Sequence, residues 1–111
     1  GELVDGRASL SGNLTANLPV SGSMIRLGDF IIAPDTQVLI APFKEARREL
    51  RLNIREDQLG GVDIGNNGMN ASARGGYMAE GVTEYVSGKF ALYAYNPNDF
   101  PVTLNAVEMV G

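Results

Sequence analysis

Four carboxylates stand in the glycine-rich second half of this chain, Asp57, Asp63, Glu80 and Glu84, and hard cations such as calcium take their ligands from carboxylates on such loops. Their spacing matches no calcium loop, so they read as solvent-facing charges on strands and turns. Any two of the thirteen Asp and Glu residues could act as acid and base in glycoside hydrolysis. Nothing in their spacing selects a pair, however, and there is no tryptophan to form a sugar platform. Histidine and cysteine are absent too, which removes the commonest general base and transition-metal ligand, thiolate metal sites and disulfides. The expectation is a protein that is not an enzyme and holds no cofactor or metal.

Other residue patterns have a bland use and a sharper one. Gly60-Gly61 and Gly75-Gly76 are followed neither by Lys-Ser/Thr nor by a helix start, so they form no phosphate loop; backbone at positive φ in tight turns is their expected use. Arg47, Arg48 and Arg51 stand beside Glu45, Glu49 and Glu56, a mixed charged edge that protects a strand from unwanted pairing. Their alternative use is contact with a partner. Tyr93 and Tyr95 share one face of a strand. Packing is the favoured reading; the alternative, with Tyr77 and Tyr85, is an aromatic patch for a protein interface or a surface glycan. Asn13-Leu14-Thr15 and Asn70-Ala71-Ser72 match the glycosylation pattern, which is short enough to arise by chance.

The net charge of -4 disfavours a general grip on phosphate backbones or anionic lipid, so neither nucleic acid nor membrane is an expected partner. No run approaches the roughly 20 apolar residues that span a bilayer. Gly1-Glu2-Leu3-Val4-Asp5 is not a basic region followed by an apolar stretch, so no export signal is visible, although a processed precursor would look the same.

The elements that must position these residues are strands. At 111 residues the chain suits one compact domain with an appendage. In residues 1–34, apolar positions are spaced by Gly, Ser, Asn and Thr; Leu14, Ala16 and Leu18 alternate with polar residues, and Gly12 and Pro19 oppose a helix. This stretch reads as an extended N-terminal arm followed by two short strands on either side of a bend at Gly28-Asp29, and residues 35–111 as the domain proper. Thr36–Ala41 is a strand by its β-branched apolar run. Phe43 to Leu59 fits both periods; the reading is a strand over 48–55, with one helical turn at 43–47 left open. Beyond Gln58 short apolar segments alternate with Gly and Asn turns, the pattern of a sandwich or barrel. Lys89 to Tyr95, apolar on both faces, reads as a central strand, and Asn96-Pro97-Asn98-Asp99 as the turn of a closing hairpin with Val102–Val110. The fold class is all-β, a compact antiparallel β-sandwich or jelly-roll-like barrel.

Arg47-Arg48-Glu49-Leu50-Arg51-Leu52-Asn53-Ile54, then Val62-Asp63-Ile64-Gly65, then Gly88-Lys89-Phe90-Ala91-Leu92-Tyr93-Ala94 and a final alternating strand resemble the small β-sandwich structural proteins of tailed-bacteriophage virions. The charged segment Arg55-Glu56-Asp57 is longer than the turn usual there. The resemblance implies a capsid-decoration, head-fibre or tail component, assembled in the host cytoplasm as a homo-oligomer beside other virion proteins. Leu10, Leu14, Leu18 and Val20 of the arm, with Arg47, Arg48, Tyr93 and Tyr95 of the domain, are the expected interface residues, because an arm that cannot bury itself suits β-addition to a neighbour. A receptor- or carbohydrate-binding sandwich is the alternative function.

Overall fold

The computed structural model describes residues 23–111. The arm residues Leu10, Leu14, Leu18 and Val20 lie outside the described residues. From Ser23 onward the chain forms eight strands and, among the described residues, no helix: β1 (Ser23–Ile32), β2 (Thr36–Ala41), β3 (Arg47–Asn53), β4 (Val62–Gly65), β5 (Gly76–Met78), β6 (Thr83–Ser87), β7 (Leu92–Asn96) and β8 (Val102–Val110). They build two antiparallel sheets, ordered β1-β8-β3-β6 and β2-β7-β4-β5. Only β4 and β5 follow one another within a sheet; every other connection crosses between sheets. Eight strands interleaved in this way make a jelly roll.

The period of two along each strand decides what the sandwich buries. Leu50, Leu52 and Ile54 from β3 and its end meet Val102, Leu104 and Ala106 of β8; Ile40 and Ala41, Val62, Met78, Leu92 and Ala94 arrive from the facing sheet. Leu27, Phe30 and Val86 close the flanks. Burial of this one layer is the main drive to fold in a chain without disulfides.

Several sequence expectations change. Met24 to Ile32 is one strand, because Gly28, at φ 122°, lets the extra residue Leu27 bulge out of the pairing with β8 without ending the ladder. β1 pairs along its length with β8 and so belongs to the sandwich body, not to an appendage before it. The segment 43–47 is a turn closed by Arg47 N–H on Lys44 O at 3.1 Å, with no helical turn. β7 lies inside its sheet between β2 and β4, as expected of a strand covered on both faces, but it begins at Leu92. Phe90 precedes it and is 72% exposed. The closing hairpin is absent: β7 and β8 lie in opposite sheets. The Asn96 amide holds this arch by donating to Ile32 O at 2.9 Å and Phe100 O at 2.7 Å, while its oxygen accepts Asn98 N–H at 2.9 Å.

None of the paired glycines has a positive φ; Gly61 and Gly75 are needed for close approach. A Cβ on Gly61 would lie 1.8 Å from Met78 O, and one on Gly75 would lie 2.5 Å from Ile64 O and 2.6 Å from the Met69 sulfur. At Gly76 the nearest atom would be 3.8 Å away, an ordinary contact. Gly75→Ala is therefore expected to lower stability by about 1–3 kcal/mol, whereas Gly76→Ala should stay within roughly 0.5 kcal/mol of the parent. Urea unfolding of the two variants measures the contrast.

Candidate functional site

At the end of the sandwich where β1 begins, Arg47 is 3% exposed and spends all five guanidinium N–H groups inside the protein. Nε donates to Gly88 O at 3.3 Å. Nη1 donates to Pro42 O at 2.9 Å and to Glu108 Oε1 at 3.4 Å. Nη2 donates to Lys89 O at 3.1 Å and Phe90 O at 2.6 Å. Lys44 Nζ bonds the other oxygen of Glu108, itself buried. Arg47 is thus a tie between the β2–β3 loop, the β6–β7 loop and β8, and is not available at a surface interface. Arg48, next to it, is exposed, the extra residue where β3 bulges against β8, and its carbonyl accepts Gly88 N–H at 2.8 Å.

The loop between β4 and β5 covers part of the outer face of the β2-β7-β4-β5 sheet, and Leu39 and Tyr77 on that face stay exposed. The Gln37 side chain accepts Gly68 N–H at 2.9 Å and Met69 N–H at 2.8 Å and donates to Asn67 Oδ1 at 2.8 Å, which draws the loop onto the sheet. Met69 is buried beneath it. Asp63, fully buried, accepts Arg74 Nη2 at 3.0 Å, Arg74 Nε and Gly75 N–H at 3.1 Å. The hydrogen bond to Asp63 raises the Arg74 pKa above its ordinary value. Tyr95, 2% exposed, donates to Asp35 Oδ1 at 2.5 Å. This bond first, then burial and the Asp35 charge, raise the Tyr95 pKa. Tyr95 therefore belongs to no exposed aromatic patch, and Tyr93 beside it is half-buried.

The outer face of the β1-β8-β3-β6 sheet is open. Cross-strand register sets Arg51 opposite Tyr85 and Val107, and Asn53 opposite Thr83 and Asn105. Side chains opposite one another in this way stand about 4.5–5.5 Å apart at Cβ. Three adjoining hollows share Asn53: one of about 350 Å³ reaches Arg51 and Tyr85, one of about 220 Å³ reaches Asp29 and Gln58, and one of about 400 Å³ runs toward Glu56 and Gly81. Tyr85 is 58% exposed. The sequence drew attention to Arg51 and Glu56 as part of a charged edge, to Asp29 as part of a bend and to Tyr85 as one tyrosine of four, but not to their meeting on one face. Asn53, Thr83 and Asn105 lie far apart in the chain and meet only through register.

Asp57, Asp63, Glu80 and Glu84 are not brought together, and no group of three or more acidic side chains placed to hold a metal occurs among the described residues. Phe43 and Phe90, both exposed, pack at 6.2 Å between ring centroids with their planes tilted by 58°, at the same end as Arg47. Comparison with protein-family models, with curated proteins and with solved structures finds no match to this chain.

Truncating Arg47 leaves Glu108 and four loop carbonyls short of donors, so Arg47→Met is expected to cost about 3–5 kcal/mol in urea unfolding, the usual loss when one partner of a buried pair is removed. Tyr95 gives a pH signature. The folded protein holds its phenolic proton more tightly than the unfolded chain, whose tyrosines titrate near 10.0. Its contribution is complete below about pH 10 and is lost as pH rises through the higher folded value. Urea midpoints of the parent and Tyr95→Phe should differ at neutral pH and converge in alkali.

Proposed function

We propose that this chain is a non-enzymatic structural protein of a phage virion, a capsid-decoration, head-fibre or tail component that assembles through its sandwich and the segment before Ser23. The observation that carries the reading is the polarity of the body. Ser23 pairs with Val110, and Gly111 N–H donates to Ala46 O at 3.1 Å, so the chain enters beside the β2–β3 loop. The exposed Phe43–Phe90 pair stands at this same end. Apolar side chains left exposed beside an entry point suit a body seated on a larger assembly, where burying them stabilises the contact.

The interior suits a structural part better than a reaction site. The buried Arg47–Glu108 pair, and the pair that exposed Arg74 makes with buried Asp63, are each tied to loop carbonyls or backbone N–H groups of the fold itself. In this reading Leu10, Leu14, Leu18 and Val20 add strand pairing to a neighbouring subunit. Partners are further copies of the chain and other virion proteins, and the site of action is the virion, reached by assembly in the host cytoplasm.

Light scattering after size-exclusion chromatography tests the assembly. The full chain is expected to run as a homo-oligomer and a chain beginning at Ser23 as a folded monomer. A monomer in both forms would contradict the role given to residues 1–22.

A further inference from the structure

We infer that the open face of the β1-β8-β3-β6 sheet is a binding site for a neutral saccharide, with Tyr85 as its stacking platform and Arg51, Asn53 and Asn105 as its polar contacts. The inference does not depend on the virion reading. It starts from how the two amides are held. Asn105 Nδ2 donates to the Asp29 carboxylate at 2.8 Å, and Asn53 Nδ2 donates to Thr83 Oγ1 at 2.9 Å and leans on Val82 O at 3.4 Å. A carboxylate and a carbonyl can only accept, which fixes the sense of both amides. Their Oδ1 atoms are left without partners among the described residues, and both residues line the same hollow.

The third polar group has the opposite character. Arg51 Nε is buried and has no hydrogen-bond partner, although Arg51 lines the hollow of about 350 Å³ with Tyr85. Buried polar groups in native proteins are ordinarily satisfied, and Nε, which has no open surface of its own, gains a partner only when the Arg51 side chain turns toward the hollow; a ligand that accepts from the guanidinium and donates to the two amide oxygens suits that turn. Hydroxyl groups do both. A phosphate or carboxylate ligand would suit Arg51 but would set acceptor against acceptor at Asn53 and Asn105, and the net charge of -4 opposes a polyanion further. The exposed ring of Tyr85 supplies what a sugar needs besides hydroxyl partners, a flat apolar surface for the C–H face of a pyranose.

The geometry also explains why this sheet and not the other would bind. On the outer face of β2-β7-β4-β5 the loop takes up the polar groups of Gln37 and Asp63 and leaves Tyr77 and Leu39 exposed without open amide partners beside them, whereas the polar groups beside Tyr85 have no such cover among the described residues. The site rests on three strands whose register is fixed by backbone pairing, so its polar groups are held in place before a ligand arrives.

The test is to probe the labelled full chain on an array of neutral and acidic oligosaccharides, then to titrate the best neutral binder by amide NMR. At least one neutral glycan is expected to bind and to shift the amides of Arg51, Asn53, Tyr85 and Asn105. Tyr85→Ala and Arg51→Met should each weaken it about tenfold or more, while Tyr77→Ala, an exposed tyrosine on the other sheet, leaves it unchanged. Circular dichroism shows whether each variant is folded. Absence of any neutral binder, binding confined to acidic glycans, or undiminished binding in folded Tyr85→Ala and Arg51→Met overturns the inference.

Discussion

A jelly roll without disulfides must keep its two sheets registered across loops that offer little apolar surface. In this protein one guanidinium meets that constraint at one end. Arg47 leaves a strand of the first sheet, reaches the carbonyls of Pro42, Gly88, Lys89 and Phe90, and stops on Glu108 of β8. The loops entering and leaving the second sheet are thereby fastened to the first. A lysine could not replace it, since three donors on a flexible stem cannot serve five fixed acceptors. At the other end the Asn96 amide does the corresponding work with Ile32 and Phe100. Between these ties the core of Leu50, Leu52, Leu104 and Val102 fills the sandwich.

With the interior closed in this way, the two outer faces diverge. The second sheet uses its outward polar groups on its own loop: Gln37, Asp63 and Tyr95 all find partners within the protein. The first sheet keeps Arg51, Asn53, Tyr85 and Asn105 facing an open hollow. The ends diverge as well. One receives the chain at Ser23 and carries the exposed Phe43–Phe90 pair. The other carries charged, polar loops, including the surface pair Arg55–Asp57 at 3.2 Å, worth little to stability in itself. The asymmetry leaves an exposed apolar pair at one end and an open polar face on one sheet.

Local pattern carried the strand content well. Thr36–Ala41 was legible from its β-branched residues, Arg47–Asn53 from alternation, and β7 as an interior strand from apolar residues on both sides. What failed were relations between strands. Asn96-Pro97-Asn98-Asp99 has good turn chemistry, yet a turn does not say whether the chain returns to the same sheet or crosses to the other; the partners of the Asn96 amide, 64 and 4 residues away, decide that. Arg47 looked like an exposed charge because Glu108, 61 positions later, is invisible as its partner. The glycine pairs were expected at positive φ in tight turns, yet none of the four has a positive φ and Gly76 opens β5; the close approaches at Gly61 and Gly75 are to the Met78 and Ile64 carbonyls across the sheet. The sequence favoured Tyr95 over Tyr85 for a contact surface because Tyr95 shares a strand face with Tyr93, yet in the fold Tyr95 is buried and Tyr85 is open.

Cryo-electron microscopy of the assembled full chain, read for the orientation of each sandwich, tests the central claim most directly. Closed symmetric particles are expected in which the Ser23 end of every body, with Phe43 and Phe90, faces the assembly, and the end bearing Asp35 and Asp57 points to solvent. Bodies seated the other way round, with the Phe43–Phe90 pair outermost, would contradict it.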